Sequence, residues 1–367
     1  MRIGVPKETA ERERRVALVP EVVKKLSGKG NTMLVERGAG ENALIPDASF
    51  EAAGAELVDR ATAFGADIVV KVAIPSEEEA GMLRSDSVYI GFLAPLTNPE
   101  AIGRLADAGV TAFAMESIPR ISRAQSMDAL SSQGNVGGYR AALIGAQELG
   151  RYYPMLMTAA GTIRPATVLV LGAGVAGLQA IATARRLGAQ VQAFDVRAAV
   201  KEQVESLGAK FLEFDLGGDL EGEGGYAKEL TPEQQAEQQR QLQEAIGKVD
   251  VVITTALVPG RPAPKLVTAD AVEAMKPGSV IVDLAGEAGG NCELSEPGET
   301  IVVHDVKIAA PLNLPSTLAE HASQLYARNI ESLLGLMLDD EGNLALDFDD
   351  EIIAGACVTR EKAGASS

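Results

Sequence analysis

A chain of 367 residues is long enough for two domains, each with a full hydrophobic core. Its formal net charge of −18 would repel phosphate backbones and anionic lipid, which argues against nucleic-acid and membrane-surface roles. The two cysteines, Cys292 and Cys357, lie far apart without metal-ligand spacing, so free thiols in a reducing cytosol are expected rather than a disulfide framework.

The opening MRIGVPKETAERERRVALVP has charges where a signal peptide needs an apolar stretch. Short apolar runs follow at 2–6, 32–36, 67–72, 87–93 and 110–116, with helix-like segments at 20–30, 47–54 and 98–109 between them. Continuous apolar strands alternating with amphipathic helices predict a parallel sheet covered on both faces. The rhythm stops at RISRAQSMDALSSQGNVGGY, where Gln125, Asp128 and Ser131 stand at intervals of three. Two readings compete there: a solvated loop that caps the next helix, or a site that grips a polar ligand.

Beyond it, runs at 167–172, 189–195, 209–215, 250–256, 279–285 and 300–306 predict six further strands, and 316–338 has the spacing of a long helix. The uncharged stretch 165–184 could span a bilayer by length, but glycines divide it into a strand, a turn and a helix start. Residues 216–231 hold five glycines and read as a lid or a solvated insertion, after which Thr231, Pro232 and Gln234 match a helix cap. The expected fold is α/β: two Rossmann-like, doubly wound parallel-sheet domains separated by a cofactor cleft. One domain is expected from 1–127 plus 312–367, the other from 128–311.

The strongest local signal is VLVLGAGVAGLQAIATARRLGAQVQAFD. Gly172 permits a tight turn, Gly174 lets a pyrophosphate approach the backbone, and Gly177 lets the helix pack close to the strand. The helix opening at Val175 and Ala176 offers amides and a favourable dipole to phosphates. Asp195, followed by Val196, stands where an acid binds the adenosine ribose, and its charge would repel a 2′-phosphate, so NAD(H) is the expected cofactor. Arg197 is a counterweight, read as lying over the adenine or solvated. For proton transfer the candidates are few. His304 and His321 both favour structural roles. Lys71, the one charge in an apolar strand, is either a functional lysine or a strand-end lysine reaching solvent.

RIGVPKE with RRVALVP, ISRAQSMDALSSQ, the GAGVAGLQA turn, FDVR, AVKEQVESLGAKF and the GGYAKE loop together resemble the soluble NAD(H)-binding component of proton-translocating nicotinamide nucleotide transhydrogenase. That family shares its fold with alanine dehydrogenase. The resemblance spans nearly the whole chain and implies direct hydride transfer between NAD(H) here and NADP(H) on a partner component. It further implies coupling to a membrane proton-channel component, the proton-translocating rather than the Si-specific enzyme type, and a homodimer. The location implied is cytoplasmic, peripheral to the inner membrane through the partner subunits. Carried over, Arg120, Gln125, Asp128 and Ser131 hold the nicotinamide and its ribose, while Gly225, Tyr226 and Leu257 complete the nucleotide site, Tyr226 from a mobile loop.

Departures from alanine dehydrogenase fall where its chemistry lies. Arg15 and Lys71 resemble its substrate arginine and catalytic lysine, but IGFLAPLTN offers no histidine and Glu287 stands in place of an aspartate. Transfer between two nicotinamide rings needs no proton carrier, only proximity and orientation. A free-standing alanine or amino-acid dehydrogenase is the alternative, and an NAD-sensing module without turnover a third reading.

Overall fold

A computed structural model describes residues 1–214, 231–258, 260–339 and 341–360. The expected lid, with Gly225 and Tyr226, lies outside the described residues apart from Thr231. The chain divides into two compact units, Met1–Gln133 with Pro315–Ser367, and Gly134–Leu314.

The first unit is built on a six-stranded parallel sheet: β1 (Arg2–Val5), β2 (Thr32–Glu36), β3 (Ala55–Val58), β4 (Ile68–Val70), β5 (Val88–Gly91) and β6 (Thr111–Ala114). Their spatial order is β3-β2-β1-β4-β5-β6. Successive side chains go to opposite layers, and both layers are apolar. Ile68, Val70, Val88 and Ile90 meet Tyr326, Ile330, Leu333 and Leu334 of the helix Ala319–Met337. Val69 and Tyr89 enter the other layer with Phe64 and Leu105. That double burial is why these strands read as unbroken apolar runs. β3 was not among the expected strands, because AELV is a half-exposed edge with little apolar signal.

The second unit holds a small hairpin, β7 (Leu156–Thr158) with β8 (Gly161–Ile163), and a seven-stranded sheet. The sheet comprises β9 (Thr167–Leu171), β10 (Gln190–Phe194), β11 (Lys210–Phe211), β12 (Val251–Thr254), β13 (Val280–Asp283), β14 (Thr300–Val303) and β15 (Val306–Ala309). Its order is β11-β10-β9-β12-β13-β15-β14. All pairings are parallel except β14 with β15.

The expected single strand at 300–306 is corrected here. His304 and Asp305 have φ of 51° and 60°, the two positive angles of a tight hairpin turn, and the chain reverses into β15. Both residue types tolerate this conformation better than branched ones. The cap expected at Thr231 is present: its hydroxyl and the Gln234 side chain satisfy each other's backbone amides at the start of the helix Pro232–Ile246. No described helix is long and apolar enough to cross a membrane.

Candidate functional site

β9 lies where the strand order of the second sheet reverses, with β10 on one side and β12 on the other. In such sheets ligands bind beyond the carboxyl ends of the strands at this point. Here β9 runs into Gly172, whose φ of +96° suits glycine and whose added Cβ would meet the Thr255 hydroxyl at 2.6 Å. A Cβ on Gly177 would sit 1.9 Å from the Gly172 carbonyl oxygen, so that glycine is needed for helix–strand contact. Gly174 differs from both. Its φ is −76°, and a Cβ there would meet nothing within 4 Å. The space it leaves is open, as a pyrophosphate requires. No side chain caps the helix Val175–Arg186, whose first bond runs from the Leu178 amide to the Gly174 carbonyl at 2.8 Å, so the amides of its first turn face that space.

Sequence reasoning passed over Gly138, which does related work. A Cβ on it would lie 2.0 Å from the Ala176 carbonyl oxygen, so the helix Ala129–Glu148 can touch the opening of the nucleotide helix. The GG pair in GNVGGY was the available signal.

Asp195 directly follows β10 and accepts from the Ala173 amide at 2.7 Å, bracing the turn. Arg197, exposed to solvent, also forks onto that carboxylate, a pairing the sequence did not show. Its amide and Nε donate to Asp195 Oδ1, and its Nη2 to Oδ2, each at 2.9 Å. Burial raises the Asp195 carboxyl, but the hydrogen bonds from Arg197 and Ala173 outweigh it and hold the group below its usual value. Val175, Val196, Leu257 and Val258 are exposed apolar side chains following β9, β10 and β12, a surface suited to a flat base.

Two buried groups that the sequence did not single out shape the neighbouring loops. Asp283, at the end of β13, accepts from the Thr254 and Ser295 hydroxyls and the Ala285 and Cys292 amides. Asn291 bonds both the amide and the carbonyl of Ala256. Glu287 is exposed and accepts the Asn313 amide at 2.8 Å.

In the first unit the polar segment is a 3-10 turn, Ser122–Met127, leading into the helix that starts at Ala129. Three residues per turn puts Ala124 and Met127 into the core and leaves Gln125 exposed, while the Asp128–Ser131 interval is that of a helix cap. Asp128 caps the helix: Oδ1 accepts the Ser131 amide at 2.8 Å and Oδ2 the Ser131 hydroxyl at 2.5 Å. Arg123 forks onto Asp350 at 2.6 and 2.8 Å, and Asn329 holds the Ser126 carbonyl and the Ser132 hydroxyl. So the segment is pinned beneath, with Arg120 and Gln125 exposed above.

Lys71 does not reach solvent, which corrects that reading. Its ammonium donates to Glu79 at 2.7 Å and lies 3.4 Å from Glu8, and it is 1 % exposed. Burial pushes the Glu8 carboxyl up to about 7, against the lowering pull of Lys71. Burial also raises Glu79, yet the Lys71 hydrogen bond and charge hold it below the usual value. Arg15 is buried as well, its fork taken by Glu13 at 2.8 and 2.7 Å and its remaining arm by Gln133 at 2.9 Å. His321 is exposed on its helix, and His304 sits in the β14–β15 turn, at the end of the sheet opposite the glycine turn.

Residues 4–137 match the Alanine dehydrogenase/PNT N-terminal domain and residues 141–365 the corresponding C-terminal domain. The chain belongs to this family. It is 51 % identical to an NAD(P) transhydrogenase subunit alpha polypeptide of Rhodospirillum rubrum, over 99 % of this chain and 97 % of that one. The crystal structure of a transhydrogenase from Sinorhizobium meliloti superposes with a TM-score of 0.88 at 49 % identity, covering 97 % of this chain and 98 % of that one. Identity to the alanine dehydrogenase of Mycobacterium tuberculosis is 35 %, over 87 % of this chain and 82 % of that protein. Within the family the chain therefore groups with transhydrogenase alpha subunits, as a pyridine-nucleotide-binding component.

Proposed function

We propose that this chain binds NAD(H) at the glycine turn of the second unit and presents it for direct hydride exchange with NADP(H) on a partner component. A membrane component would couple that exchange to proton translocation. The observation that carries the reading is the open position at Gly174 beside uncapped helix amides, with Asp195 at the end of the neighbouring strand. Once bound, the nucleotide supplies the ring that carries the hydride. The protein's share is positional. The Val175–Gly177 amides take phosphate oxygens, Asp195 takes the ribose, and Val196 and Leu257 flank the base. Gln125 matches a carboxamide, Asp128 and Ser131 form a locked acceptor–hydroxyl pair, and Arg120 supplies an exposed cation.

Direct transfer is favoured over oxidative deamination by the state of the would-be acid–base groups. Lys71 is held by Glu79, Arg15 by Glu13, and both histidines are exposed away from the glycine turn or on a helix surface. The exposed hairpin β7–β8 supports a homodimer: Tyr152, Met155, Met157 and Ile163 are all solvent-facing, on a base held by Arg151 and Asp250 at 2.7 Å.

The test mixes the purified chain with a family NADP(H)-binding component and follows transfer from NADPH to an NAD analogue in a single turnover. Transfer is expected, and NAD with alanine should yield no NADH. Steady NADH production from alanine would replace this reading with the dehydrogenase.

A further inference from the structure

We propose that Arg197 is a specificity gate on the nucleotide site: its guanidinium holds the edge of the Asp195 carboxylate that a ribose diol needs, and it must leave for NADH to bind. The proposal rests on the reading of Asp195 as the ribose acceptor. An ionised carboxylate offers about four lone-pair positions. Asp195 has all of them filled, Oδ2 by the Ala173 amide at 2.7 Å and Arg197 Nη2 at 2.9 Å, Oδ1 by the Arg197 amide and Nε, both at 2.9 Å. Two of these donors are backbone amides fixed by the strand and turn. The other two are the guanidinium fork, which spans both oxygens.

The fork lies toward solvent. The Arg197 side chain is 59 % exposed and that of Asp195 only 6 %, so the guanidinium covers the carboxylate from the side a ligand approaches. A vicinal diol also presents two donors to two oxygens, so it competes for the same edge. The guanidinium end of the pair stands in water, so releasing it costs less than breaking a fully buried pair, and exchange rather than blockade follows. Displaced, the guanidinium stays two residues from Asp195, beside the 2′ position. There NADPH has no hydroxyl for Asp195 but offers phosphate oxygens that match the fork. One side chain thus opposes NADH and favours NADPH.

Calorimetric titration of the full chain with NADH, NADPH and reduced nicotinamide mononucleotide tests this in Arg197→Ala and Arg197→Lys. Arg197→Ala should tighten NADH about fivefold, the upper range for releasing an exposed pair. It should weaken NADPH and leave the mononucleotide, which has no adenosine ribose, unchanged. Arg197→Lys should tighten NADH by a smaller factor, since an ammonium cannot span both oxygens as the fork does. Shifts of both dinucleotides in one direction, or no shift, would overturn the gate. Asp195→Asn separates the two ideas: if it leaves NADH affinity untouched, the reading of the nucleotide site fails, whatever Arg197 does.

Discussion

At the scale of single residues, three glycines in one turn answer to three different constraints, and substitution separates them. Gly177→Ala drives a Cβ to 1.9 Å from a backbone oxygen, so melting should fall, by about 2 kcal/mol or more of stability. Gly174→Ala meets nothing in the protein, so stability should stay within about 0.5 kcal/mol while NADH affinity drops, as calorimetry would report. Equal losses of stability would refute the distinction. Glu8 gives a pH signature. Its carboxyl rises from 4.5 to about 7 on folding, because burial disfavours the charge. A raised carboxyl stabilises the fold fully below about 4.5 and ceases to do so as pH climbs through about 7. The protein should therefore lose about 1 kcal/mol between pH 6 and 8, and Glu8→Gln, neutral throughout, should flatten that slope in thermal melts. Gly172 and Gly177 were legible because a positive φ and a close helix–strand approach are constraints set within a few residues of chain. The surroundings of Lys71 were not, since Glu8 reaches it from 63 residues away in the chain.

Among the elements, the polar segment bears out the capping reading, and the ligand reading rests on the transfer assay. Asp128 does cap the helix Ala129–Glu148, and its hydrogen bonds to Ser131 fix a hydroxyl and a carboxylate next to the exposed Gln125. Asparagine caps as well as aspartate and alanine does not. Asp128→Ala should cost about 1 kcal/mol in thermal melting, and Asp128→Asn should cost little. If the segment positions the nicotinamide, Asp128→Asn and Gln125→Asn should each slow single-turnover transfer more than they weaken NADH binding. Unimpaired transfer in both would leave the segment as a cap alone. The β14–β15 hairpin shows where periodicity fails: TIVVHDV is apolar on both sides of its turn, and the turn residues His304 and Asp305 are not glycine or asparagine.

For the whole molecule, the hairpin β7–β8 carries the association argument. A two-stranded sheet is marginal by itself, and exposed Met155, Met157 and Ile163 make it a surface to be covered. Light scattering should report a dimer, and Met157→Asp with Ile163→Asp should shift it to monomer with the glycine-turn affinity retained. A dimer that persists would place the contact elsewhere. Nucleotide preference belongs to this scale too: NADH should bind far above NADPH, and Asp195→Ala should weaken NADH and narrow the gap.

Sequence alone determined the fold class, most of the strands, the tight turn at Gly172, the close packing at Gly177 and the cap at Thr231. Each of these follows from periodicity or from backbone constraints spanning a few residues. Tertiary structure decided the long-range side-chain contacts and the edges. Arg15 meets Gln133 across a separation of 118 residues, and the edge strand β3 exists because β2 offers it free hydrogen-bonding groups, not because AELV announces a strand. Long-range pairing sets those outcomes, and no local pattern encodes which distant group will arrive.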